Sequence, residues 1–473
     1  MKIKMNTSKF LFYLILSTPF FQLHSQNVSD DCREKLSIFA ESAKIKNYKA
    51  AYEPWMSVRT NCPTYSLATF QYGELILKDF IKNSSNDEEK EKHITDLLKL
   101  YDEWAANFPK RNIGERTGVN QIGKIYSSKG QAMVDNNFED KLKIYKTFEY
   151  AYNNDVKSFS SPKSLAYYFQ TAYDLYKIGN SEVSLEVLFN KYEELTEKFE
   201  SLRIDIAKKV DAIIKKEASG VALTSKDARN KRIYDTNSNA VGAYLKLIDQ
   251  NIAKEATCDI LIPLYSKSFQ ENKNNSLWIK RAAGRLDGKE CSNAPLFVTL
   301  VKQLHSLEPS ADSAYYLGIL NDKKGNFNEA LKYYQESVTL ETDNYKKANI
   351  LYRIAVKLKS SGRKTSSRNY AERALSFQPS LGKAYLLIAS LYASSANSCG
   401  NSQFNKRAVY WLAAQTAQKA ARVDASIRKT ANNFMASYNG RAPSKTDIFT
   451  DGSQGQRVTF SCWIRRSVKV PYL

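Results

Sequence analysis

Between Ala311 and Pro379 the apolar positions recur at helical spacing, and the pattern itself repeats. The run from Ser313, SAYYLGILNDKKGNFNEALKYYQESVTL, reads as two amphipathic helices joined by Lys324-Gly325-Asn326. Gly325 supplies the residue tolerant of positive φ where the first helix must stop. One unit on, Leu351, Ile354, Ala355 and Leu358 form an i, i+3, i+4, i+7 stripe, Gly362 turns the chain, and Ala371, Ala374 and Leu375 continue a partner helix that Pro379 ends. A third unit starts with Tyr385, Ile388, Ala389 and Tyr392 and resumes at Ala413 and Ala417 after an insertion. Earlier in the chain the spacing predicts helical hairpins from 65–83 with 92–108, 112–135 with 138–153, and 164–178 with 181–199, the run 83–92 being a solvated loop. A long helix over 201–216 and another over 239–254 flank a basic-polar run, Lys226, Arg229, Lys231 and Arg232, read as a solvated helix face. After a capping helix over 428–438, the alternating runs RVTFSCWI and SVKVPYL predict a small β-hairpin.

Small residues at Gly318 and Ala330 lie twelve apart, with Leu317 before the first and Tyr334 four after the second. This grid resembles the tetratricopeptide repeat, in which small residues let two helices approach and large ones fill the gaps around them. Ala314, Asn321 and Thr342 stand where the family pattern has Trp, Tyr and Pro, so the periodicity carries the resemblance. The fold class it implies is all-α: a TPR-like α-helical hairpin solenoid with a short C-terminal β-hairpin. The expected organisation is a signal peptide over 1–25, an N-terminal helical-repeat array over 26–200, a long helical connection over 201–257, a C-terminal array with its capping helix over 258–438, and a tail over 439–473.

The leader follows from Lys2, Lys4 and Lys9, the apolar run Phe10 to Phe21, and a cleavage region ending at Ser25. Twelve apolar residues interrupted by Pro19 fall short of the ~20 needed to span a bilayer, and no later run is long enough, so the mature chain is expected to be exported, periplasmic or envelope-associated, without a transmembrane segment. Its removal takes three lysines and no acids, so the formal charge falls from +21 to +18. Such a charge attracts anionic envelope polymer through its long-range field. Export makes nucleic acid a poor partner.

An oxidising compartment makes disulfides the default reading of six cysteines. On the repeat grid, Cys32 opens the first helix of a hairpin whose second helix ends at Cys62, and Cys258 and Cys291 stand at equivalent ends of another. The grid therefore selects Cys32–Cys62 and Cys258–Cys291, each closing a loop worth roughly 3–4 kcal/mol on the chain-entropy estimate. Cys399, in the insertion of the last repeat, is left to staple Cys462 of the tail.

Only His93 and His305 remain after the leader, which removes most metal sites and Ser-His or Cys-His nucleophile arrangements. Gly284-Arg285-Leu286-Asp287-Gly288-Lys289 lacks the spacing of a phosphate loop. No enzyme, cofactor or metal is expected. In this family the ligand usually lies along the face of the first helix of each hairpin, and the resemblance places Tyr315, Ile319 and Asp322, then Tyr352, Val356 and Lys359, then Leu386 and Ser390 along that groove. Mixed aromatic, aliphatic and charged residues suit an extended peptide or a partner's helix. Two functions compete: an envelope scaffold that holds another protein or peptide, within a secretion, motility or uptake assembly, and a basic module for lipopolysaccharide or cell-wall polymer.

Overall fold

A computed structural model describes residues 20–114 and 116–473, so the leader expected over 1–25 lies largely outside the described residues. The chain divides into two compact units, one ending at Ser164 and one running from Leu165 to Leu473.

The first unit stacks hairpins α1 (Phe20–Lys44) with α2 (Tyr48–Asn61), α3 (Ala68–Asn83) with α4 (Asp87–Asn107), and α5 (Ile122–Asp135) with α6 (Lys141–Asp155). Cys32 and Cys62 are joined, with Cα atoms 6.5 Å apart. Trp55 of α2 is fully buried, and its Nε1 donates to the Thr69 carbonyl at 2.7 Å. Its ring fills the space over Gly73 of α3, where a Cβ would lie 2.6 Å away. Phe148 covers Gly130 in the same way at 2.7 Å. Two stretches differ from the sequence reading. The acidic run expected as a loop opens α4 instead, because Asn86 caps it by accepting from the Glu89 amide at 2.8 Å and Asp87, Glu88 and Glu89 sit at the positive end of the helix dipole. The helix expected from residue 112 starts at Ile122. Before it, β1 (Lys110–Ile113) and β2 (Arg116–Asn120) form an antiparallel pair. Gly114 and Gly118 take φ +56° and +63° there, and the Asn112 side chain accepts from the Gly118 amide at 3.0 Å.

The second unit begins with α7 (Pro162–Lys177), whose first turn precedes the division, and two long antiparallel helices, α8 (Leu185–Ala218) and α9 (Ser225–Ile252). The basic run 226–232 lies inside α9, because Thr224 and Asp227 form a capping box that starts the helix fourteen residues before its expected start. The hairpin repeats follow α10 (Cys258–Asn272): α11 (Ser276–Gly288) with α12 (Pro295–Leu307), α13 (Ala311–Lys323) with α14 (Phe327–Leu340), α15 (Asn344–Ser360) with α16 (Lys364–Phe377), and α17 (Gly382–Ala393) with α18 (Gln403–Val423). A Cβ on Gly318 would meet the buried Tyr334 ring at 2.4 Å, which is the close helix approach that the small-residue grid implies. Gly325 and Gly362 take φ +78° and +73° at the hairpin turns. Cys258–Cys291 joins the ends of α10 and α11, Cα atoms 5.6 Å apart. After α19 (Arg428–Arg441) and α20 (Lys445–Asp451), β3 (Arg457–Phe460) pairs antiparallel with β4 (Arg466–Lys469), burying Val458, Phe460 and Val468 on one face. Cys399–Cys462 ties this hairpin to the last repeat at 5.5 Å between Cα atoms. Arg368 of α16 also donates to the Ile464 carbonyl at 2.5 Å, and Trp463 Nε1 to Ser395 Oγ at 3.2 Å. Among the described residues no helix is long and apolar enough to cross a membrane.

Candidate functional site

The first helices of the four repeats, α11, α13, α15 and α17, stack side by side and align corresponding positions along one face. Part of that face is occupied by the chain's own α8. On α11, Arg281 makes a two-pronged contact with Glu197 of α8, at 3.0 and 2.9 Å. Arg285, 2% exposed at its side chain, pairs with Glu193, its guanidinium held 4.7 Å from the rings of Phe189 and Tyr192. Further along, Asn349 of α15 donates to Glu200 at 2.6 Å, and the Ser380 amide donates to Asp211 at 2.7 Å. Arg422, in the last turn of α18, reaches Glu217 at 3.3 Å. Element by element the contacts advance from α11 through α15 and the start of α17 to α18 as α8 proceeds from Glu193 to Glu217, so α8 runs along the repeats.

Burial pushes the Glu193 carboxyl up from its ordinary range against the opposing pull of Arg285, and burial likewise raises Asp211. Lys383 opens α17 with its ammonium 4.7 Å from the Tyr352 ring. Although part of its stem is accessible, desolvation of the ammonium, with Arg203 of α8 nearby, lowers its pKa to about 8.

The structure sorts the eight residues expected to meet a partner. Tyr315 and Ile319 are 1% and 2% exposed, so neither offers surface in this arrangement. The reason is the neighbouring repeat: the Arg353 guanidinium of α15 lies 3.9 Å over the Tyr315 ring, with Tyr316 and Tyr334 at 5.5 and 6.0 Å. Asp322 is half-buried and accepts from Ser361 Oγ at 2.5 Å. Tyr352, Val356, Leu386 and Ser390 are half-buried and Lys359 is exposed. Lys359 Nζ donates to Ser390 Oγ at 2.8 Å, bringing two of the expected residues together across adjacent repeats. Sequence reasoning missed Arg281, Arg285 and Asn349. The first two sit one repeat length before Tyr315 and Ile319, so the grid extended backward would have placed them on the same face. Among the described residues no group of three or more His, Cys, Asp or Glu is placed to hold a metal ion.

No protein-family model matches the chain. It is 32% identical over 112 residues to the photosystem I assembly protein Ycf3 of Cuscuta gronovii, covering 22% of this chain and 67% of that protein. The Ycf3 of Synechococcus elongatus is 29% identical over 150 residues, covering 29% of this chain and 79% of its own. Among solved structures, MamA aligns with 45% of this chain and 99% of its own at 16% identity and a TM-score of 0.26. The relatives at about a third identity are themselves built of the repeat read from Gly318, Ala330 and Tyr334. The chain belongs to the tetratricopeptide-repeat family.

Proposed function

We propose that the chain is a non-enzymatic scaffold that holds a protein or peptide partner in the bacterial cell envelope, after export and removal of its leader. The observation that carries the reading is the half-open face of α15 and α17. There Tyr352, Val356, Leu386 and the Lys359–Ser390 pair present aliphatic, aromatic and charged groups side by side, a surface suited to a helix or extended peptide. Partner contacts fall on these residues rather than on the buried Tyr315 and Ile319. Export is supported by the basic and apolar segments before Ser25 and by three disulfides that use all six cysteines. A role in secretion, motility or uptake assembly is in keeping with relatives named for an assembly task.

The test is affinity co-purification from native envelope extract at moderate salt. A stoichiometric protein, lost on Lys359→Glu with Leu386→Ala, is the expected result. Recovery of anionic lipid or glycan alone, eluted by a small rise in salt, would replace the scaffold with a polyanion-binding function.

A further inference from the structure

Of the three passages from the second helix of a hairpin to the first helix of the next repeat, two carry the same Pro-Ser corner. Gln378-Pro379-Ser380-Leu381 leads from α16 into α17, and Glu308-Pro309-Ser310-Ala311 leads from α12 into α13. The first is covered. Ile206, Ala207 and Val210 of α8 lie against it, Asp211 accepts from the Ser380 amide at 2.7 Å, and Leu381 is 3% exposed, leaving about 40 Å³ of space. The second is open, a cleft of about 430 Å³ whose lining includes Leu277, Leu304 and Leu340. Leu277 is 49% and Leu340 44% exposed there.

The corners also differ in charge and in their free hydrogen-bonding groups. Glu308 stands where the covered corner has the neutral Gln378, and Glu341 and Asp312 share the open cleft; Lys280 and Arg353 both pair with Asp312, at 2.7 and 3.4 Å, and leave the two glutamates to set the charge. The cleft is therefore acidic on a chain of net charge +21. The Ser310 amide already donates to Ser313 Oγ at 2.8 Å, so this corner asks for no carboxylate like that of Asp211.

We propose that the open corner is a docking site for an amphipathic helix of a protein partner, one that lays an apolar stripe on Leu277 and Leu340, above the buried Leu304, and brings lysine or arginine to Glu308 and Glu341. The covered corner shows what fits this geometry, a helix presenting small and branched apolar residues. The glutamates reverse the charge the occupant must carry. The proposal rests on the scaffold reading and adds a second surface with a stated chemistry.

Fluorescence anisotropy on the full chain tests it, with two synthetic amphipathic peptides of about five helical turns. Both carry the same Leu/Ala stripe, one flanked by lysines and the other by glutamates. The net charge of +21 biases non-specific binding toward the acidic peptide, so preference for the basic peptide that is lost in variants of this cleft is diagnostic. The expected result is that the basic peptide binds and weakens by about tenfold or more in both the E308K/E341K and the L277K/L340K variants, with thermal unfolding unchanged. Failure of the basic peptide to bind, equal binding of the acidic one, or indifference to both variants overturns the proposal. Co-purification from native extract separates the two failures. A partner held equally by wild type and L277K/L340K overturns the corner and leaves the scaffold standing, whereas no protein partner with either removes both.

Discussion

Both units bury an arginine against carboxylates, but they recruit those carboxylates from different distances. In the first unit Arg59 of α2 meets Asp96 and Glu103 of α4 at 2.9 and 2.7 Å, one hairpin along the stack. In the second, Arg281 and Arg285 of α11 meet Glu197 and Glu193 of α8, 84 and 92 residues earlier in the chain. The first arrangement belongs to the logic of a repeat, in which each hairpin touches its neighbours. The second does not. It lays a helix from outside the repeats onto the repeats and converts part of the face of their first helices into interior.

The largest expected effect comes from breaking the distant arrangement. Arg285→Ala leaves Glu193 in a desolvated site without its cation and should destabilise the second unit by about 3–5 kcal/mol. Arg59→Ala should cost less, since Asp96 and Glu103 keep 28% and 30% side-chain exposure and can rehydrate. Hydrogen exchange resolved by helix should localise each loss to its own unit. Equal losses would remove the distinction.

A second pair of substitutions asks whether the two units share their packing device. Gly73→Leu and Gly318→Leu each drive a side chain into a buried ring, Trp55 or Tyr334, and should each cost roughly 1–3 kcal/mol or more in chemical denaturation. A tolerated substitution in one unit alone would show that only the other depends on close helix approach.

Lys383 gives the most specific signal. Its folded pKa of about 8 lies below the ordinary 10.5, so the unfolded chain binds its proton more tightly. Protonation at neutral pH therefore opposes folding, and stability contributed by the neutral amine is present above pH 10.5 and lost as pH falls through about 8. Lys383→Met should remove this rise in stability between about pH 8 and 10.5 and raise stability at pH 7. Unfolding midpoints across that range measure it. An unchanged profile in the variant would show that Lys383 is well solvated.

The hairpins were legible because their signals are local: an apolar stripe, a glycine at the turn, a small residue opposite a ring. The disulfides were legible because the start of one helix and the end of the next lie together, as at Cys32 with Cys62 and Cys258 with Cys291. The β1–β2 pair was not, because residues 112–120 carry only two apolar residues, Ile113 and Val119, too few to set a period, and the turn rests on the positive φ of Gly114 and Gly118. The face of α13 was misjudged for another reason. Whether Tyr315 is surface depends on Arg353 from the following repeat, and the occupancy of α11 depends on Glu193, far back in α8. Neither relation has a spacing that a repeat grid can register.

Zero-length carbodiimide crosslinking with peptide mass spectrometry reads out where α8 lies. Lys216 and Asp227, 2.9 Å apart between α8 and α9, provide an internal control. Lys208 of α8 and Asp343 at the start of α15, 3.8 Å apart, report whether α8 lies on the repeats. Both crosslinks should form within a single chain. Recovery of the Lys216–Asp227 link with Lys208 joined to other acids, and never to Asp343, would contradict the placement of α8.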